Sequence, residues 1–169
     1  TNRAYQFGID RADGSLAAFT SICAPIIYRG DRLPEDLRGN VFAAEPAANV
    51  VSRFLLRDDG TTLRLSKAYE RAEFLASTDE RFRPVFLSDA PDGTLYIVDM
   101  YRGIIQQRAD VTEYLRDQIL SRKLETPINM GRIYRIVHDT TKRDAAPALS
   151  TAPIGKLVET LSHANGWWR

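Results

Sequence analysis

The sequence predicts a mainly β fold: part of a β-propeller with one inserted helix, leading into the start of an α-helical array. Three observations point there. The run from Phe82 to Gly103, FRPVFLSDAPDGTLYIVDMYRG, holds a short apolar strand, a Pro-Asp-Gly turn and a second strand that is apolar on both faces from Leu95 to Val98. Such a strand belongs between two layers, yet the tight turn makes its neighbour antiparallel. Sheets stacked face to face around an axis satisfy both conditions. Secondly, the turns Asp13-Gly14, Asp59-Gly60 and Asp92-Gly93 recur unevenly, near the ~40–45 residues of a propeller blade. Gly supplies the positive φ of a tight hairpin, and Asp bonds back to its own backbone. Thirdly, the apolar pattern turns from strand-like to helical beyond His138.

The strand candidates, in order, are residues 40–45, 49–56, 62–66, 69–75, 85–87, 95–99 and 131–138. The last, GRIYRIVH, is less uniformly apolar than Leu95 to Val98 and reads as an outer or edge strand. A helix is expected over about 110–124. Asp110 and Glu113 have the spacing of a capping box, Val111, Leu115 and Ile119 recur every four residues, and Arg122 and Lys123 complement the dipole at the end. Residues 140–152 carry no hydrophobic period and read as a linker after a propeller portion over 1–139. Ser150 or Thr151 then caps a second helix within 153–169, with Pro153 in its first turn. Ile154, Leu157, Val158 and Leu161 form its apolar stripe, and Asn165-Gly166 ends it. One such helix cannot bury its stripe alone, so it should dock on the propeller or open a helical array, of which the second is preferred.

Composition narrows the classes of function. Among 169 residues, 23 Lys and Arg oppose 22 Asp and Glu, a net charge of +1 with no field to draw nucleic acid. No run approaches the ~20 apolar residues of a bilayer span. A single cysteine, Cys23, leaves no internal disulfide and no Cys cluster for a metal, and the two histidines, His138 and His163, share no ligand spacing. There is no Cys-x-x-Cys-His, so this piece attaches no c-type haem. The chain opens at Thr1 without Met and stops on an aromatic Gly-Trp-Trp-Arg, which reads as a piece of something longer. It supplies roughly two to three blades where a closed ring needs about four to eight, and the remainder must come from upstream sequence or another chain.

Several strings together resemble a known bacterial family. They are Tyr28-Arg29-Gly30, Leu33-Pro34, Arg38-Gly39-Asn40-Val41-Phe42, Glu45-Pro46, Ser77-Thr78-Asp79-Glu80, Phe82-Arg83-Pro84, Pro91-Asp92-Gly93, Asp99-Met100-Tyr101-Arg102-Gly103 and Gly131-Arg132-Ile133-Tyr134-Arg135-Ile136. In this order they are similar to the propeller of membrane-bound dehydrogenase-type proteins related to soluble glucose and sorbosone dehydrogenases. The likeness covers most of residues 20 to 138, and Leu161 to Arg169 resembles the opening of the HEAT-like repeats that follow. The resemblance implies the C-terminal part of a six-bladed propeller, an exported, periplasmic location, and pyrroloquinoline quinone (PQQ) with Ca²⁺ as cofactors. It implies oxidation of a sugar or alcohol, with electrons passed to a c-type cytochrome, and membership of a large membrane-associated complex. Where related chains often carry a histidine after the Tyr-Arg-Gly-Ile-Ile stretch, this one has Gln106-Gln107. That departure favours an alternative, a non-catalytic propeller serving as a binding or scaffold subunit of a larger extracytoplasmic complex.

The candidate site residues gather at strand ends, where propeller loops hold chemistry. Arg102 can grip a quinone carboxylate or an anionic substrate with its planar fork, or pair with Asp99. Arg83 can point into a central channel, or bond carbonyls between blades. Tyr101 is a stacking platform or a packing residue. Asp99 and Glu45 can bind Ca²⁺ or orient an arginine, although no dense acidic loop accompanies them. Asp79 and Glu80 suit a capped turn. His138 and His163 read as structural or solvated, Cys23 as a small buried hydrophobe, and Trp167 and Trp168 as helix-packing residues or a docking patch.

Overall fold

Val41–Glu45 (β2) is the strand most completely enclosed. Phe42 and Ala44 are fully buried on one face, while Ala43 and Glu45 are buried on the other. Its neighbours are Cys23–Ile27 (β1) and Val50–Asp58 (β3), both antiparallel, with Phe42 opposite Arg53 and Ala44 opposite Val51. Beyond β3 lies Leu63–Lys67 (β4), and the short Leu75–Ala76 (β5) also pairs with β3. The order of the first sheet is therefore β1-β2-β3-β4, with β5 off that path. The second sheet is Pro84–Asp89 (β6), Leu95–Asp99 (β7) and Arg132–Ile136 (β8), all antiparallel neighbours in sequence order. This computed structural model describes residues 11–12, 18–143 and 145–169. The expected Asp13-Gly14 turn lies outside the described residues.

The protein is thus mainly β, and the described residues build two antiparallel sheets that share one core. Tyr28, Phe42, Ala44 and Val51 from the first sheet side pack with Leu87, Leu95 and Ile97 of the second. The closest approach between the sheets is made by β6 against β1 and β2. Apolar side chains alternate along β7: Leu95 and Ile97 are wholly buried, while Tyr96 and Val98 are half-buried. The expectation that Leu95 to Val98 is dry on both faces is corrected here. One face meets the first sheet, and the other, shared with Phe86 and Ile133 by register, faces outward. The strand dry on both faces is β2, because residues 18–21 lie over its second face: Phe19 packs edge-on to Phe54, and Thr20 and Ser21 donate to Glu45.

Other expectations shift for local reasons. Residues 69–75 do not form a strand, and only Leu75 with Ala76 reaches β3. No strand pattern marks β1, because Pro25 sits within it and Ala24 has φ 45°, where the register also slips. The helix Glu113–Arg122 (α1) is capped by the Thr112 side chain, which accepts from Leu115 N–H, while Asp110 closes a 3-10 turn before it. Thr112 takes the cap because its oxygen sits three residues before the N–H it reaches. Leu115 and Ile119 are buried as the four-residue period requires. The helix ends with Lys123 in the left-handed region, and Arg81 donates to the Lys123 and Thr126 carbonyls just beyond it.

The second helix, Ile154–Thr160 (α2), is N-capped at Pro153 and not by Ser150 or Thr151, which belong to a 3-10 turn over Leu149–Thr151. Asn165-Gly166 does not terminate α2. Asn165 instead caps a further turn, Gly166–Trp168, and ties it to the sheets. Its amide donates to the Ala90 and Pro91 carbonyls, at 3.0 and 3.1 Å, next to the hairpin of β6 and β7. Trp168 Nε1 donates to the Pro91 carbonyl as well. On the other side, Gly166 N–H donates to the Arg29 carbonyl and Arg38 donates to the Ala164 carbonyl. The tail is a clasp across both sheets. Replacing Asn165 with Ala should raise amide exchange over residues 161–169 while protection in β2 and β7 persists. Equal loss of protection throughout would show that the clasp and the sheets open together.

Candidate functional site

The five residues singled out from the sequence come together at one end of the two sheets. Glu45 ends β2, Arg83 precedes β6, and Asp99 ends β7, with Tyr101 and Arg102 following. Arg83 joins them. Its guanidinium donates to the Pro46 carbonyl at 2.6 Å, the Arg102 carbonyl at 3.0 Å and the Gly103 carbonyl at 2.8 Å. Of the two roles open to Arg83, the geometry is that of a staple between backbone segments of the two sheets. Burial pushes its pKa below the usual arginine value, with Glu80, Asp99 and Asp79 acting the other way.

The acids at this end are also turned on the backbone. Glu45, fully buried, accepts from the N–H groups of Thr20, Ser21 and Ala47. Asp99 Oδ1 accepts from the N–H groups of Arg83 and Tyr101, each at 2.7 Å. Asp99 Oδ2 is buried and meets no hydrogen-bond partner among the described residues. The bond to Tyr101 holds that residue at φ 47°, a left-handed conformation uncommon outside glycine, Asn and Asp. Two residues on, Gly103 packs so closely on the α1 exit that a Cβ would collide with the Leu124 carbonyl. Sequence alone explains why this stretch reads Tyr-Arg-Gly only once that contact is known.

Tyr101 and Arg102 face away from the staple. The Arg132 guanidinium lies 3.6 Å from the Tyr101 ring centroid, a cation–π contact. A hydrogen bond to Asp79, followed by burial and the Asp79 charge, raises the Tyr101 hydroxyl above its ordinary value. Arg102 is exposed and its side chain does not pair with Asp99. Asp79 forms the capped turn expected of it, accepting from Arg81 N–H while Ser77 accepts from its own. Glu80 pairs with Arg122 at 2.7 Å. His138 is exposed, His163 is half-buried with Nδ1 accepting from Asn165 N–H, and Cys23 is half-buried with its pKa raised by burial and by Glu45.

A calcium ion takes about six to eight oxygens. Glu45 has both oxygens engaged by N–H groups and Asp99 offers one unengaged oxygen, so the two residues do not fit that ion. Among the described residues, no three His, Cys, Asp or Glu side chains are grouped to hold a metal. No helix among them is long and apolar enough to cross a membrane.

A second feature had no motif to announce it. A cavity of about 740 Å³ lies between β1 and β6, walled by Ile26, Ile27, Phe86 and Trp167, with Arg29 and Asp89 at its polar side. Its residues are distant in sequence: the Arg29 N–H donates to Asp89 Oδ1 across a separation of 60 residues. Only the packing of two sheet edges under the C-terminal turn assembles it.

Two stacked antiparallel sheets with a stapled strand-end cluster define the class of protein this chain represents. Residues 2–140 match the model of a family described as a domain of unknown function, DUF7133, and the chain belongs to that family. No curated protein and no solved structure matches the chain.

Proposed function

We propose that the chain supplies neighbouring blades of a six-bladed β-propeller, and that this part of the ring binds and holds partners in an extracytoplasmic assembly. Two features support a ring. The sheets come closest through β6 against β1 and β2, as inner strands do where blades converge on an axis. Parts of both outer faces are also apolar and open: Ile133 is 66 % exposed on one, and Leu63 67 % and Leu65 57 % on the other, beyond the strand that residues 18–21 cover. Further blades, from this polypeptide or another, would cover them. The stripe of α2, with Ile154 and Leu161 exposed, suits the first helix of a HEAT-like repeat.

The observation that carries a binding role over an oxidising one is the strand-end cluster. Arg83, Glu45 and Asp99 Oδ1 engage backbone groups at the ends of the two sheets, which fixes loops and leaves little to act on a substrate. A second reading, a quinoprotein-like dehydrogenase delivering electrons to a c-type cytochrome, draws on one observation. Arg102 and the Tyr101–Arg132 stack form an outward cationic and aromatic surface that suits a PQQ carboxylate. Among the described residues no donor set fits calcium.

Whole protein incubated with PQQ and Ca²⁺ distinguishes the two. A binding subunit retains no quinone absorbance after desalting and reduces no artificial acceptor with aldoses or alcohols. Retained quinone with turnover, lost in an Arg102→Ala variant, would replace the binding role with the dehydrogenase. A separate measurement, imaging of the whole protein, tests the ring: six radial blades are expected, and an open two-sheet sandwich would overturn the propeller.

A further inference from the structure

We infer that the cavity between β1 and β6 is a binding site for a small organic anion with a flat apolar body. The inference does not rest on either reading above, and the site is separate from the strand-end cluster around Arg83. A cavity of about 740 Å³ is of the size that holds small ligands, which commonly sit among apolar walls with a few polar groups to orient them. Here the walls are Ile26, Ile27 and Phe86, and the Trp167 indole, 49 % exposed, gives a flat face on which a planar ligand can lie.

The polar side selects the charge. The Arg29 side chain is 65 % exposed, and its ion pair among the described residues is a loose one, Nε to Asp89 Oδ2 at 3.8 Å. Asp89 is only 11 % exposed at the side chain, and its Oδ1 already accepts from the Arg29 N–H. Burial raises the Asp89 pKa above the usual carboxylate value, against the lowering effect of the Arg29 N–H, the Arg29 charge and the Gly30 N–H. Arg169 also lines the cavity. Two cations against one largely enclosed acid make the cavity complementary to a negative group, and a planar guanidinium grips a carboxylate or sulfonate with two donors. The wall that carries Trp167 is held in place by the Asn165 clasp, so the site is preformed.

The test uses 8-anilinonaphthalene-1-sulfonate as the charged probe and N-phenyl-1-naphthylamine as its neutral counterpart. The charged probe should bind saturably, near one site per chain, with energy transfer from tryptophan. Arg29→Ala should weaken it about tenfold and leave the neutral probe unchanged, the loss expected for one charge-assisted contact. Trp167→Ala should weaken both probes. Leu65→Ser, on the outward face of the first sheet and away from Phe86, should change neither. Binding that survives Arg29→Ala and Trp167→Ala but falls with Leu65→Ser would place the probe on an open sheet face and overturn the site, as would no saturable binding at all.

Discussion

Arg83→Ala is expected to lower stability by about 3 kcal/mol or more, the largest effect of any single truncation at the strand ends. The side chain gives three donors to three carbonyls on two sheets, at 2.6, 3.0 and 2.8 Å. Bonds to a charged donor contribute about 1.5–3 kcal/mol each in net terms, and removing the donor leaves its acceptors partly enclosed without a partner. Partial access of water to these carbonyls keeps the total below a simple sum. Arg83→Met should cost nearly as much, because it restores the apolar stem and none of the donors. Arg83→Lys should recover only a fraction, since an ammonium is a point and cannot reach three carbonyls spread around a planar fork. Urea denaturation of the three variants measures this. A loss under about 1 kcal/mol in Arg83→Ala would mean that water takes over the carbonyls and the staple contributes little.

Tyr28→Phe is the second substitution with a large expected effect, and it carries a pH signature. The Tyr28 hydroxyl is fully buried. It donates to the Gly93 carbonyl at 2.5 Å and accepts from the N–H groups of Arg32 and Leu33 at 3.3 and 3.2 Å. One oxygen therefore joins the loop after β1 to the hairpin of β6 and β7. Gly93 sits at φ 80°, so the hairpin tip is shaped to bring that carbonyl within reach. Losing the hydroxyl leaves the Leu33 N–H unpaired, while the Arg32 N–H and the Gly93 carbonyl keep their own 3.0 Å bond, and should cost about 1–3 kcal/mol.

Burial pushes the Tyr28 pKa up to about 12, outweighing the two N–H donors that lower it, while Asp89 and Asp31 add to the rise. An unfolded tyrosine ionises near ~10. Above that pH the unfolded chain releases a proton that the folded chain still holds, so stability falls as pH rises from about 10 through about 12. Below about 10 the contribution is complete. Wild type should lose stability over that alkaline window more steeply than Tyr28→Phe when both are followed by denaturant midpoint. Parallel curves would show that other groups set the alkaline limb.

Much of the strand pattern was legible because period and turn chemistry agree. β7 matches its expected residues, and β2, β3, β4, β6 and β8 fall within a few residues of theirs. The β1 strand was not legible, since a proline and a left-handed alanine disguise it and its pairing depends on β2. Thr112 displaced Asp110 as the helix cap because both are good cap residues and only the chain path decides which oxygen meets a free N–H. At the strand ends the sequence singled out five residues that the fold brings to one end of the sheets, and left their roles open. An arginine that binds an anion and one that binds carbonyls look alike in a string. What separates them here is the distance from Arg83 to Pro46, set by the packing of one sheet on another. The cavity around Arg29 and Trp167 was not legible at all, for no local spacing links residues brought together by the last turn of the chain.

That last turn has a mechanical consequence. Because Asn165, Gly166 and Trp168 hold Arg29 on one side and Ala90 and Pro91 on the other, a pull on α2 is shared between two anchorages in parallel. Whatever grasps the helix would not swing it like a door on a hinge. It would load both hairpins at once, and the joint should yield abruptly, at a force above that of either anchorage alone.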